Sequence, residues 1–419
     1  MIKFNKESTI KSFKAMYNYE GSKTTRHTKY LFSAVYFFVM SLCLSGLVGK
    51  KTFYSRLNKQ IIILFIISVL FYSCSGNSVS DEKDKIPVTD MLGREVLIPA
   101  KIDKIICIRA GTLRLLTYMD ALDLIVGIEE GEKRTPRPYI KINPYLLDLQ
   151  SVGPTMGGDA ELIISTRPDI IFTAYTTIED ADNLQNKTGI PVIALECTDI
   201  GTDKEILFAS LQLIGNVLNK KNRADSLINY INSSINELNE RTAKIPDNLK
   251  PTVYAGGLAY SHSYGITATH PYYSPFMFVN ANNVASSIDR RLSSHVKGTF
   301  VDIEQILIWN PNYLFIDESG ISIVKTELET NQVLNSKLDA VKNDNIYVIL
   351  PYNNYATNYE FVILNAWYIG KVLYPDYFED IDFELKANEI LSMFFNRNIV
   401  LDEIINNKLI FTRFLITNL

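Results

Sequence analysis

Short, continuous apolar runs alternate with helix-length stretches from about residue 104 onward, and no other feature constrains the fold as much. Lys104–Ile108 (KIICI), Leu124–Ile128 (LIVGI), Asp169–Thr173 (DIIFT) and Val192–Leu195 (VIAL) form the first set. They are apolar throughout rather than at every second position, as strands of a parallel sheet are when both faces are covered. Helical stretches lie between them, around Thr112–Met119, Ala160–Thr166 and Ile178–Thr188. The second half repeats the scheme: strands at Thr252–Ala255, Tyr313–Asp317 and Ile346–Leu350, helices at Asp302–Trp309, Val324–Val341 and Tyr359–Tyr374. Ahead of both, IPVTDMLGREVLIPA reads as a small hairpin turning at Leu92–Gly93–Arg94. The expected class is therefore α/β, two Rossmann-like lobes each around its own sheet.

A different pattern separates the halves. Thr202 and Glu205 have the spacing of a capping box for a helix running to about Leu218. A second helix, about Lys220–Lys244, carries Leu227, Ile228, Ile231, Ile235 and Leu238 on one face. At 1.5 Å per residue it would span roughly 37 Å, enough to cross from one lobe to the other, and Pro246 and Pro251 punctuate its end. One stiff crossing predicts a ligand cleft between the lobes with limited hinge motion.

Composition narrows the function classes. The 419 residues are 47% hydrophobic and 21% charged with a net charge of −4, which excludes disorder and coiled coil and argues against a nucleic-acid binder. Four cysteines make no disulfide scaffold; Cys107 and Cys197 fall on expected core strands and read as packing residues. There is no G-x-S-x-G elbow, phosphate-binding G-x-x-x-x-G-K-[ST] loop, H-E-x-x-H or CxxC pair.

Residues 1–73 read as a targeting region. Leu31–Gly49 is apolar behind Lys23, Arg26 and Lys29; Ile61–Ser73 is apolar behind Lys51, Arg56 and Lys59 and ends at Cys74. The second stretch has the parts of a secretory signal, and a Cys after a small residue is what lipoprotein processing requires. Cys74 is the expected lipidation site, with residues 74–86 as a polar tether. Phe71 stands where a lipobox usually has Leu, which keeps open Leu31–Gly49 as a transmembrane helix with Cys74 an ordinary small hydrophobe; the presence of two apolar stretches keeps open a start near Leu57.

TDMLGREV followed by a strand, then GPTMGGDAELIISTRPDIIF, then VDIEQILIWNPNYLFID, resembles the periplasmic-binding-protein family for chelated iron and cobalamin. The resemblance covers about Pro87–Glu379. Its most specific feature is a paired element, one per lobe: Glu161…Pro168–Asp169 and Glu304…Pro311–Asn312, the second with Asn for the usual Asp. It implies an N-terminal lobe at 87–201, connecting and bridging helices at 202–245, a C-terminal lobe at 246–380 and a tail at 381–419. It also implies an extracytoplasmic lipoprotein, monomeric, with no cofactor. Its partners would be an ABC-type permease, the permease's ATPase and the membrane, and Glu161 and Glu304 would dock on the permease. The ligand implied is a chelated iron compound, with haem or cobalamin as the rival; a metal-cofactor enzyme of similar shape is the alternative from another class.

Ligand contacts are expected on loops that follow strands. In the first lobe these are Arg109, Arg134, Arg137 and Tyr175; in the second, Tyr260, His262, His270, Tyr272, Tyr352 and Tyr355. Arginine facing Tyr and His suits an anionic, planar or metal-containing chelate. The first lobe offers no His, which disfavours a bare zinc site drawn from both lobes. Residues 398–419 have no counterpart in the resemblance and no assigned role.

Overall fold

The computed structural model describes residues 85–134, 137–260, 262–289, 298–405 and 407–415. The chain divides into two units, Met1–Glu82 and Lys83–Leu419, and all described residues belong to the second. The stretches Leu31–Gly49 and Ile61–Ser73, and Cys74, lie outside the described residues.

The expected hairpin is formed by β1 (Lys85–Thr89) and β2 (Glu95–Pro99), antiparallel with Val88 opposite Val96. Buried Asp90 organises its turn: the carboxylate accepts from Leu92 N and Arg94 N and pairs with the Arg94 guanidinium at 2.9 Å. It also accepts from Ala194 N, which ties the hairpin to the first sheet.

That sheet contains β3 (Ile105–Ile108), β4 (Ile125–Ile128), β5 (Gln150–Ser151), β6 (Ile170–Thr173) and β7 (Val192–Ala194), in the order β5-β4-β3-β6-β7. All its pairings are parallel. Every residue of β3 and β6 is buried, which is why these strands are apolar without alternation. Helices α1 (Thr112–Tyr118), α2 (Ala160–Thr166) and α3 (Ile178–Thr188) connect the strands.

Helix α4 (Lys204–Val217) begins without the expected capping box. Its N-cap is Asp203, no side chain caps it, and Thr202 Oγ1 donates to Asp203 Oδ2 at 2.6 Å. The hydroxyl is thus used on the neighbouring carboxylate rather than on a helical N–H. Helix α5 (Lys221–Thr242) has 22 residues and spans roughly 33 Å. Near its start Arg223 Nε donates to Tyr118 O in the first lobe; at its end Thr242 Oγ1 accepts from Asn280 of the second.

The second sheet is also parallel, with strands β8 (Thr252–Gly256), β10 (Asn282–Asn283), β12 (Tyr313–Asp317) and β13 (Ile346–Ile349) in the order β10-β8-β12-β13. A short antiparallel ribbon joins β9 (Ala268–Thr269) and β11 (Thr299–Phe300). Helix α6 (Ile303–Trp309) precedes β12. The single helix expected at Val324–Val341 is three pieces: Ile321–Thr330, Gln332–Lys337 and Asp339–Lys342. Asn331 ends the first by leaving helical geometry, and its side chain accepts from Val333 N and Leu334 N to cap the second. A side chain that bonds locally in this way outcompetes helix continuation.

Helix α7 (Tyr359–Leu373) is buried on nearly every side, Trp367 completely so, and its indole N–H donates to Ser234 Oγ of α5. Helix α8 (Phe383–Phe395) then returns the chain to the first lobe, where Arg223 donates to the carbonyls of Met393 and Phe394. Residues 411–414 of the tail run along β13: Phe411 N donates to Val348 O at 2.8 Å and Phe414 N to Ile346 O at 2.7 Å. It therefore covers the edge strand of the second sheet, which would otherwise present unpaired backbone groups.

Candidate functional site: the interlobe wall and two capped glutamates

The first-lobe wall is built at the ends of β3 and β4. Arg109 follows β3 with φ 67, and its guanidinium donates to Tyr175 O at 2.8 Å and faces Asp180 at 3.4 Å. Tyr175, half exposed with φ 48, donates its hydroxyl to Cys197 O at 3.2 Å. Glu129 follows β4 and is 1% exposed. Its Oε1 accepts from Gly157 N at 2.7 Å and its Oε2 from Arg109 N at 2.9 Å. It also reaches the other lobe, accepting the Tyr355 hydroxyl at 2.8 Å.

Arg137 is buried, donates to Gly131 O and Glu132, and lies over the Tyr355 ring with its guanidinium carbon 4.3 Å from the centroid. Burial pushes the Glu132 carboxyl up, against the pull of the Arg137 guanidinium. Arg134 is placed elsewhere, exposed and paired with Glu130 at 2.8 Å.

In the second lobe, Tyr352 is buried and its hydroxyl donates to Asp199, which also accepts from Ser274 Oγ. Its backbone N–H donates to buried Asp317 at 2.7 Å. His270 is buried, accepts from Tyr272 N through Nδ1, and its ring centroid lies 6.3 Å from that of Tyr352. Tyr272 is half-buried. Tyr260, Tyr264 and Phe300 form an aromatic cluster, with exposed His262 alongside Tyr264. Tyr260 also donates to Thr269 O at 2.6 Å. The structure thus brings Arg109, Arg137, Tyr175 and Tyr355 to one region, through Glu129; in the second lobe Tyr260 bonds the carbonyl of Thr269, next to His270, and exposed His262 lies beside Tyr264. Among the described residues no cluster of His, Cys, Asp and Glu is arranged to hold a metal ion. Cys107 and Cys197 are unpaired; burial pushes the Cys197 thiol up to about 12.

Three residues of this region were not singled out from sequence: Glu129, Arg114 and Asp199. Arg114 is fully buried on α1, and its guanidinium donates to Asn354 O at 2.7 Å, Thr357 O at 2.8 Å and Tyr355 O at 3.3 Å. Glu129 was findable, because it directly follows a buried strand as Arg109 does. Arg114 and Asp199 act through partners more than 70 residues away, which no local pattern marks.

On each lobe an aspartate caps a seven-residue helix and an exposed glutamate is its second residue. Asp159 accepts from Glu161 N and Leu162 N; Asp302 accepts from Gln305 N at 3.0 Å. Exposed apolar side chains flank both glutamates, Leu162 and Ile164 on α2 and Ile308 on α6.

Two parallel-sheet lobes, a long helix bridging them and a polar wall where they meet are the architecture of a two-lobed substrate-binding protein. The chain belongs to the periplasmic binding protein family, whose pattern matches residues 105–352; this is a family of transporter substrate-binding proteins, not of enzymes. The molybdate-binding protein MolA of Haemophilus influenzae is 23% identical over 363 residues, 80% of this chain and 96% of that protein. The petrobactin-binding protein YclQ of Bacillus subtilis is 23% identical over 296 residues, 68% of this chain and 88% of that one. A periplasmic solute binding protein from Veillonella parvula shares the fold, with TM-score 0.62, 21% identity, and coverage of 78% of this chain and 98% of that one. No helix among the described residues is long and apolar enough to cross a membrane.

Proposed function

We propose that this protein is the extracytoplasmic solute-binding component of an ABC importer, capturing a chelated iron compound between its lobes. Delivery to the permease runs through Glu161 and Glu304, and Cys74 carries the lipid anchor. The observation that carries this reading is the matched pair of exposed, aspartate-capped glutamates, one on each lobe, in a chain whose lobes meet at a wall containing Arg109, Arg137 and Tyr175. Two carboxylates on rigid helix starts suit two equivalent basic points on a two-fold permease. Each alone would be ordinary helix-end chemistry; the repetition is what points to a partner. The second-lobe residues Tyr260, His262, His270, Tyr272 and Tyr352 are proposed to contribute aromatic and imidazole contacts.

A compact oxyanion is the second reading, favoured by the similarity to a molybdate-binding protein over most of this chain. Thermal denaturation against ferric siderophores, haem, cobalamin, molybdate and divalent metals separates the readings. A true ligand at 100 times its dissociation constant adds about 2.7 kcal/mol of stability. Stabilisation by molybdate and by no iron chelate would overturn the first reading; turnover of any compound would overturn transport. An intact mass lacking diacylglyceryl at Cys74 would remove the anchor.

A further inference from the structure

The loop 352–357 of the second lobe is held by the first lobe as a guest would be. Arg114 donates to three of its carbonyls, those of Asn354, Tyr355 and Thr357. The Tyr355 ring lies against the Arg137 guanidinium, and its hydroxyl donates to buried Glu129. Opposite the loop stands Gly111, where a Cβ would come within 2.9 Å of the Ala356 Cβ, so the first lobe is shaped to admit it.

Two further observations distinguish this arrangement from ordinary packing. Tyr355 and Ala356 are consecutive non-glycine residues with φ 58 and φ 80, a conformation that persists only where surrounding contacts impose it. Glu129 also accepts from Arg109 N and from Gly157 N, so one carboxylate holds the second-lobe tyrosine, an arginine of the wall and the loop that leads into α2.

We infer that Tyr355 is a built-in occupant of a first-lobe subsite formed by Arg137 and Glu129, and that a ligand must displace it. The inference rests on the interlobe region being the binding site. A ligand group entering there takes over the guanidinium face, while Glu129 keeps its bonds from Arg109 N and Gly157 N. The freed loop then relaxes from its left-handed geometry. While Tyr355 is seated, the binding-competent fraction is small, and apparent affinity falls by that fraction.

The test compares the full chain with its Tyr355→Phe variant, which keeps the ring and removes the hydroxyl. Hydrogen exchange without ligand is expected to rise across 352–358 and 154–158. Calorimetry with sodium molybdate and with an iron(III) catecholate complex is expected to show about tenfold tighter binding of whichever probe the wild type takes, the scale of one net hydrogen bond to a charged acceptor. Unchanged exchange overturns the inference, as does weaker binding, which would make Tyr355 an ordinary ligand contact. Should neither protein bind either probe, the proposed ligand classes fail, and exchange alone decides the occupant: raised exchange retains it and unchanged exchange ends it.

Discussion

Asp169 and Asn312 make the same bond in the two lobes. Each follows a proline and a left-handed helix end, and each offers a side-chain oxygen to a backbone N–H at the start of the first strand of its lobe's parallel sheet. Asp169 Oδ2 accepts from Lys104 N at 2.8 Å, and Asn312 Oδ1 accepts from Thr252 N at 2.9 Å. The replacement of Asp by Asn therefore conserves the acceptor. Asn312→Asp should change unfolding free energy by less than about 0.5 kcal/mol, whereas Asn312→Ala should cost about 1 kcal/mol. Urea denaturation of both variants checks this.

The caps of α2 and α6 should behave alike. Asp159→Ala and Asp302→Ala should each cost about 1 kcal/mol, the usual loss for an N-cap carboxylate. A value near zero for either would show that its helix is held by packing alone.

Reversing both exposed glutamates, Glu161→Lys with Glu304→Lys, should abolish uptake by cells while ligand affinity and melting temperature stay close to wild type. Each group is exposed on the first turn of its helix and forms no part of the interlobe wall. If ligand affinity falls in parallel with uptake, the pair is structural.

Trp367→Ala should cost about 3–5 kcal/mol, the range for deleting a large aromatic side chain from a core. The indole is 0% exposed, and its N–H bond to Ser234 ties α7 to the bridging helix. Calorimetric unfolding measures the loss.

Asp317 sets a pH dependence. Burial pushes its carboxyl up to about 8, against the backbone bond from Ser319. In an unfolded chain an aspartate titrates near 3.9. Between about pH 4 and 8 the native state therefore binds the extra proton. This contribution to stability is complete below pH 4 and is lost as pH rises towards 8, at up to about 1.4 kcal/mol per pH unit. Asp317→Asn should flatten the urea-denaturation profile across that window; an unchanged slope would assign it to other groups.

Sequence alone determined the α/β class, the hairpin, the bridging helix and the two helices that carry Glu161 and Glu304. Each rests on short-range physics: apolar runs that must be covered on both faces, and a 3.6-residue period. Other outcomes depended on which of several available partners a side chain met, near or far in the chain. Thr202 bonded Asp203 instead of capping α4, and Asn331 broke an apolar-periodic stretch by capping the next helix. The tail found its place on β13, whose edge exists only once the sheet is formed. Arg137 and Tyr355, both read as ligand contacts, meet each other across the lobes because Glu129 and Glu132 anchor them there. Side-chain chemistry is written locally, but which donor meets which acceptor is decided by burial, and burial is a property of the assembled lobes.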